Sequence, residues 1–136
     1  MKKATQLKTC NYTLLFLTIA SLASSIQLEA THSQGICPVW LHIAVCLAFM
    51  IAVVWHLYLH FKWNAWIKRL RSQKSHVTKW LAIFGLLTFI TAVVAFIHWG
   101  TTYAHSPIGG VHGKLGFVFI ALSIGHTVKR IKFFKR

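Results

Sequence analysis

The stretch VWLHIAVCLAFMIAVVWHLYLHF, residues 39–61, runs for 23 residues without an Asp, Glu, Lys or Arg. As a helix rising about 1.5 Å per residue it is long enough to cross a hydrocarbon layer of about 30 Å. Three histidines, His42, His56 and His60, interrupt its apolar run. An ionisable side chain at that depth is costly, so its default reading is functional. His42 and His56 are 14 residues apart, roughly 21 Å along a helix axis. Fourteen steps of about 100° leave their side chains only about 40° apart, on nearly one face.

Outward from this stretch lie three more apolar runs, at residues 12–28, 80–99 and 111–128. The mean hydropathy is +0.59 and 56% of the residues are hydrophobic, more than a soluble domain carries. These runs predict an all-α protein, an integral membrane four-helix bundle of up-down-up-down topology. The connections are too short for a second domain, so residues 1–136 are expected to form a single transmembrane domain.

The net charge is +14, and Glu29 is the only acidic residue. In a soluble chain such a balance points to nucleic acid, but the placement here points elsewhere. Lys2, Lys3 and Lys8 precede the first run, and Lys62, Lys68, Arg69, Arg71, Lys74 and Lys79 separate the second from the third. Lys129, Arg130, Lys132, Lys135 and Arg136 follow the fourth, so only Lys114 falls on the opposite side. Concentration of Lys and Arg on one side is the positive-inside pattern, which predicts cytoplasmic termini in a cell inner membrane, lipid as the surround and no nucleic-acid partner. Residues 2–24 also fit a secretory signal, with Lys2 and Lys3 ahead of an apolar run and small residues after it. A retained helix is preferred, because an even number of spans keeps the basic segments together.

Aromatic residues mark both interfaces, with Trp63, Trp66 and Trp80 on the inner side and Trp40, Trp99 and Tyr103 on the outer. The basic inner connection, residues 62–79, suits a segment lying on the lipid surface. The outer connections, residues 31–38 and 100–110, hold the helix breakers Gly35, Pro38, Pro107, Gly109 and Gly110. Cys10, Cys37 and Cys46 form no C-x-x-C pair and no C-x-x-C-H attachment signature, so any cofactor is expected to be held non-covalently. Cys46 reads as a packing residue and Cys37 as a free thiol on the outer side.

A shift of 70 residues carries the second run onto the fourth: His42 onto His112, Phe49 onto Phe119, His56 onto His126 and Lys62 onto Lys132. It also lays Leu17 and Thr18 on Leu87 and Thr88, a looser match. The halves read as related helical hairpins. In an up-down-up-down bundle the second and fourth helices run the same way, so His42 is level with His112 and His56 with His126. Two facing imidazoles at one depth make a bis-histidine iron site, and two such levels predict two haems stacked across the membrane. The outer iron would take His42 and His112, the inner iron His56 and His126. Each ligand must donate its second ring N–H, expected to go to the carbonyl one turn earlier on its own helix. Any single histidine here is as readily a packing residue bonded across helices. Two-histidine zinc or copper sites compete, but neither level has a carboxylate or thiolate partner.

Small residues leave room for a planar ring: Gly113, Gly116 and Gly125 on the fourth helix, Ala52 on the second, Gly85, Ala92 and Ala95 on the third, and Ala20 and Ala23 on the first. Each alone reads equally as helix packing. Lys62, Lys129 and Arg130 are candidate propionate contacts at the inner level. At the outer level Lys114, Thr101, Thr102 and Tyr103 take that role. Lys114 reads equally as a snorkelling surface lysine. His60, one turn beyond His56, is a rival inner ligand, although the repeat places Arg130 at its counterpart. His98 and His105 are candidates to bond a propionate or carry protons for a quinone. His32 and His76 read as solvated loop residues.

Residues 40–66, with H-x13-H-x3-H followed by F-K-W-N-A-W, and residues 111–126, with V-H-G-K-L-G ahead of a final His, carry a resemblance. The chain resembles a family of small bacterial four-helix dihaem cytochromes b associated with flavinylated extracytosolic electron-transfer systems, and more distantly respiratory cytochrome b. The resemblance covers most of the chain. It implies two b haems with His42, His56, His112 and His126 as axial ligands. One departure is Cys46, which stands where such helices commonly have glycine one turn after the outer histidine.

The expected function is transmembrane electron transfer, from quinol or another membrane donor to a flavin- or haem-bearing redox protein or a larger respiratory complex. Bis-histidine iron has no open position for a substrate, so the chain is expected to be an electron-transfer subunit rather than a complete enzyme. The rival from another class is a haem-free membrane adaptor or assembly factor, or a small metal or haem carrier, whose histidines bond across helices.

Overall fold

The structure, a computed structural model, describes residues 3–32, 35–60, 68, 72, 75–102 and 107–130. Four helices carry most of the described residues: α1 Lys3–Ala30, α2 Ile36–His60, α3 His76–Thr102 and α4 Pro107–Lys129. All four are long and apolar enough to cross a membrane, and each takes in one of the apolar runs.

The helices overshoot those runs, for identifiable reasons. Pro107, expected to break a helix, is instead the first residue of α4, where its missing N–H costs nothing and its fixed φ suits the first turn. Gly109 and Gly110 follow it inside that helix, and Pro38 lies in the first turn of α2. Between α1 and α2 the chain does turn, with His32 at φ 50° and Gly35 at φ 93°. The amides of Thr31 and His32 close the end of α1 by donating to the carbonyls of Gln27 and Glu29.

The helices form two compact units, α1 with α2 and α3 with α4. In the first, Cys10 near the start of α1 meets Ala52 late in α2, its Sγ 3.9 Å from the carbonyl. Ser24 near the end of α1 meets His42 early in α2, so the pair is antiparallel. The face that α1 buries consists of Cys10, Thr18, Ser21 and Ser24, small side chains that let two backbones approach. Their polarity is partly absorbed within the helix: Thr18 donates to the carbonyl of Leu14, and Ser24 and Ser25 both donate to that of Ser21. On α2 the buried residues are Phe49 and Ala52. Ala52 is thus buried against α1, in keeping with the packing role that was the alternative to leaving room for a ring.

The α3–α4 unit is also antiparallel, with Thr78 against His126 and Thr88 against His112. A Cβ built on Gly85 would stand 2.9 Å from Cε2 of Phe119. The space left by Gly85, expected for a cofactor, is taken by that aromatic ring. One helical turn on, Gly116 faces the methyl group of Thr88 at 3.9 Å. Each helix exposes large apolar side chains: Phe16 is 69% exposed, Ile51 64%, Leu86 60% and Val128 61%. Such a surface suits lipid and would be costly in water.

Candidate functional site

His42 sits two turns into α2 with its Nδ1 3.0 Å from Ser24 Oγ on α1. Ser24 is buried, and its hydroxyl donates to the carbonyl of Ser21 at 3.0 Å. A hydroxyl has one hydrogen; when it goes to the Ser21 carbonyl, Ser24 Oγ accepts from His42 and Nδ1 carries the ring proton. Nε2 is then the nitrogen with the lone pair. Cys46, one turn on, places its Sγ 3.5 Å from that Nε2, so the outer level does hold a thiol beside His42, contrary to the expectation that neither level has a thiolate partner.

His112 is held in the corresponding way by α3. Its Nδ1 is 3.1 Å from the main-chain carbonyl of Thr88. A carbonyl only accepts, so Nδ1 again carries the proton and Nε2 the lone pair. His126, at the other end of α4, has its Nδ1 3.4 Å from Thr78 Oγ1. At all three positions the orienting group is on the neighbouring helix, not one turn back on the histidine's own helix as expected. The Thr88 carbonyl serves His112 although it lies within α3 and also accepts the Thr91 hydroxyl at 3.1 Å.

His56 and His60 lie one turn apart on α2, with ring centroids 4.5 Å apart and planes inclined by 47°. His56 is half-buried and His60 exposed, which sets His56 on the more enclosed side of the pair. Lys114 is exposed on α4. Arg130 is exposed too, and its amide closes α4 on the carbonyls of His126 and Thr127. By the register of Phe119 against Gly85, His98 on α3 is level with the start of α4, nearer the α3–α4 connection than His112. Its ring is 3.3 Å from Thr102 Oγ1. Lys62, His105, Tyr103, Trp63 and Trp66 lie outside the described residues. Of the glycines expected to make room beside the histidines, a Cβ on Gly113 or Gly125 would meet nothing within 4 Å.

Among the described residues no three His, Cys, Asp or Glu side chains come together as a metal-ligand group. A bis-histidine haem asks only two side chains of the protein, with the porphyrin supplying the other ligands. For that role the half-buried rings of His42 and His112 are suited in tautomer: Nδ1–H anchored, Nε2 basic. Sequence reasoning missed Ser24, Thr78 and Thr88, the groups that do this anchoring. No family model, curated protein or solved structure matches the chain.

Proposed function

We propose that this chain is an integral membrane cytochrome b that transfers electrons across a cell inner membrane through two non-covalent b haems. In this reading the four helices form an up-down-up-down bundle with both termini cytoplasmic. His42 and His112 hold the outer haem, and His56 and His126 hold the inner one. The observation that carries the reading is the histidine arrangement: two helices, each with a pair 14 residues apart, and cross-helix anchoring of Nδ1 at His42, His112 and His126. That anchoring restrains each ring and, at His112, where the partner is a carbonyl, leaves the lone pair on Nε2.

Iron held by two imidazoles supplies one-electron transfer and leaves no coordination position for a substrate. The chain's own residues bind, orient and insulate. Apolar side chains on all four helices exclude water, and Lys114, Lys62 and Arg130 are candidates to neutralise propionates. His60 and His98 are candidate haem or quinone contacts. The electron donor in this scheme is quinol or another membrane reductant. The acceptor is a flavin- or haem-bearing redox protein, or a larger respiratory complex.

A second reading has support in the same hydrogen bonds, because histidines that only tie helices together also bond across them. It makes the chain a haem-free membrane adaptor or assembly factor, or a small metal or haem carrier. A reduced-minus-oxidised spectrum of the purified protein separates the two. Electron transfer requires reducible b-type absorption that falls in His42→Ala and in His126→Ala. Absence of that absorption, or haem content unchanged in both variants, selects the second reading.

A further inference from the structure

We infer that Ser24 is a positioning residue for the outer haem, holding His42 in the orientation and tautomer that ligation needs. The inference rests on the proposed haem function and goes beyond it by giving α1, which contributes no ligand, a defined part in the site. Ser24 is 5% exposed, and its Oγ lies 3.0 Å from His42 Nδ1 and 3.0 Å from the carbonyl of Ser21. With the hydroxyl hydrogen on the Ser21 carbonyl, Ser24 accepts from His42 Nδ1–H, which is the arrangement that ligation through Nε2 requires. A histidine whose Nδ1–H is held by an acceptor is a more basic ligand at Nε2 and is restrained about its ring torsion. More electron donation to the metal stabilises the oxidised iron, so this bond lowers the potential of the haem it serves.

The two outer-haem ligands differ in a way that makes Ser24 testable. His112 is held by the main-chain carbonyl of Thr88, which a side-chain substitution does not remove. His42 depends on a hydroxyl that one substitution deletes. Ser25 supplies a control, because its hydroxyl also donates to the Ser21 carbonyl, at 2.8 Å, and it belongs to the same turn of α1.

The test is a redox titration and haem quantification of the full-length protein in detergent, comparing wild type with Ser24→Ala, Ser24→Thr and Ser25→Ala. In Ser24→Ala one haem is expected to titrate at a higher potential and to bind about 10-fold or more weakly, while the other haem is unchanged. Ser24→Thr, which keeps the hydroxyl, restores the wild-type titration, and Ser25→Ala matches wild type throughout. The inference is overturned if Ser24→Ala keeps both potentials and both affinities, or if Ser25→Ala shifts the same haem equally. It is also overturned if both haems shift together in Ser24→Ala without restoration by threonine, the pattern of a general packing defect. Wild-type protein without haem refutes the underlying function as well, and so is distinct from these outcomes.

Discussion

At the scale of single residues, the chain uses small side chains for two separate purposes. Gly85 is small because Phe119 needs the space: the ring edge stands where a Cβ would crowd it at 2.9 Å. Gly85→Ala is therefore expected to destabilise the α3–α4 unit by about 1–3 kcal/mol, the usual cost of overpacking. Thermal unfolding in detergent reads this as a lowered midpoint. Gly110, where an added Cβ meets nothing within 4 Å, is the control, and Gly110→Ala is expected to hold or slightly raise stability through helix propensity. The histidines were legible only as candidate ligands, because ionisable side chains are costly in an apolar helix and these recur at one spacing on two of them. Their partners were not. Ser24 lies six residues from the end of α1 and His42 six from the start of α2, so counting back from the connection finds that pair. The same count from the connection after α3 pairs His112 with Ile97 instead of Thr88, because α3 runs on beyond the level of α4's first residue.

At the scale of helices, the α1–α2 contact is built from a polar small-residue stripe, with apolar residues turned outward. That arrangement follows from the solvent. Between helices in lipid there is no hydrophobic gain from pairing leucines, so close backbone approach and local hydroxyl bonds decide which face is buried. Replacing Ser21, which is 6% exposed, with leucine is expected to weaken this pair and lower the thermal midpoint. Ile19→Leu, at a site 61% exposed, is expected to leave it unchanged. The four helices themselves were readable from hydropathy and length. Their ends were not, because Pro38, Pro107, Gly109 and Gly110 signal a break, yet prolines in a first turn are compatible with starting a helix. The expected correspondence of Leu17 and Thr18 with Leu87 and Thr88 does not carry over to the anchoring groups. Thr88 is the anchor of His112, whereas the anchor of His42 is Ser24, well beyond Thr18 on α1.

At the scale of the whole molecule, the proposed orientation follows from charge: 14 of the 15 Lys and Arg residues fall on one side of a four-span arrangement. Cys37, exposed in the first turn of α2, is then on the outer side. A membrane-impermeant maleimide added to the outside of intact cells is expected to label it, and Cys37→Ser to abolish that labelling. Cys10, fully buried between α1 and α2, is expected to stay unlabelled. Labelling of Cys37 only after the membrane is opened would reverse the orientation. Haem per chain in the purified wild type and in the double variant His42→Ala/His112→Ala reports both stoichiometry and pairing. Two haems per wild-type chain and one in the double variant are expected, because both substitutions empty the same site. No haem in wild type, or loss of both haems in the double variant while it remains folded, would contradict the proposed two-haem pairing.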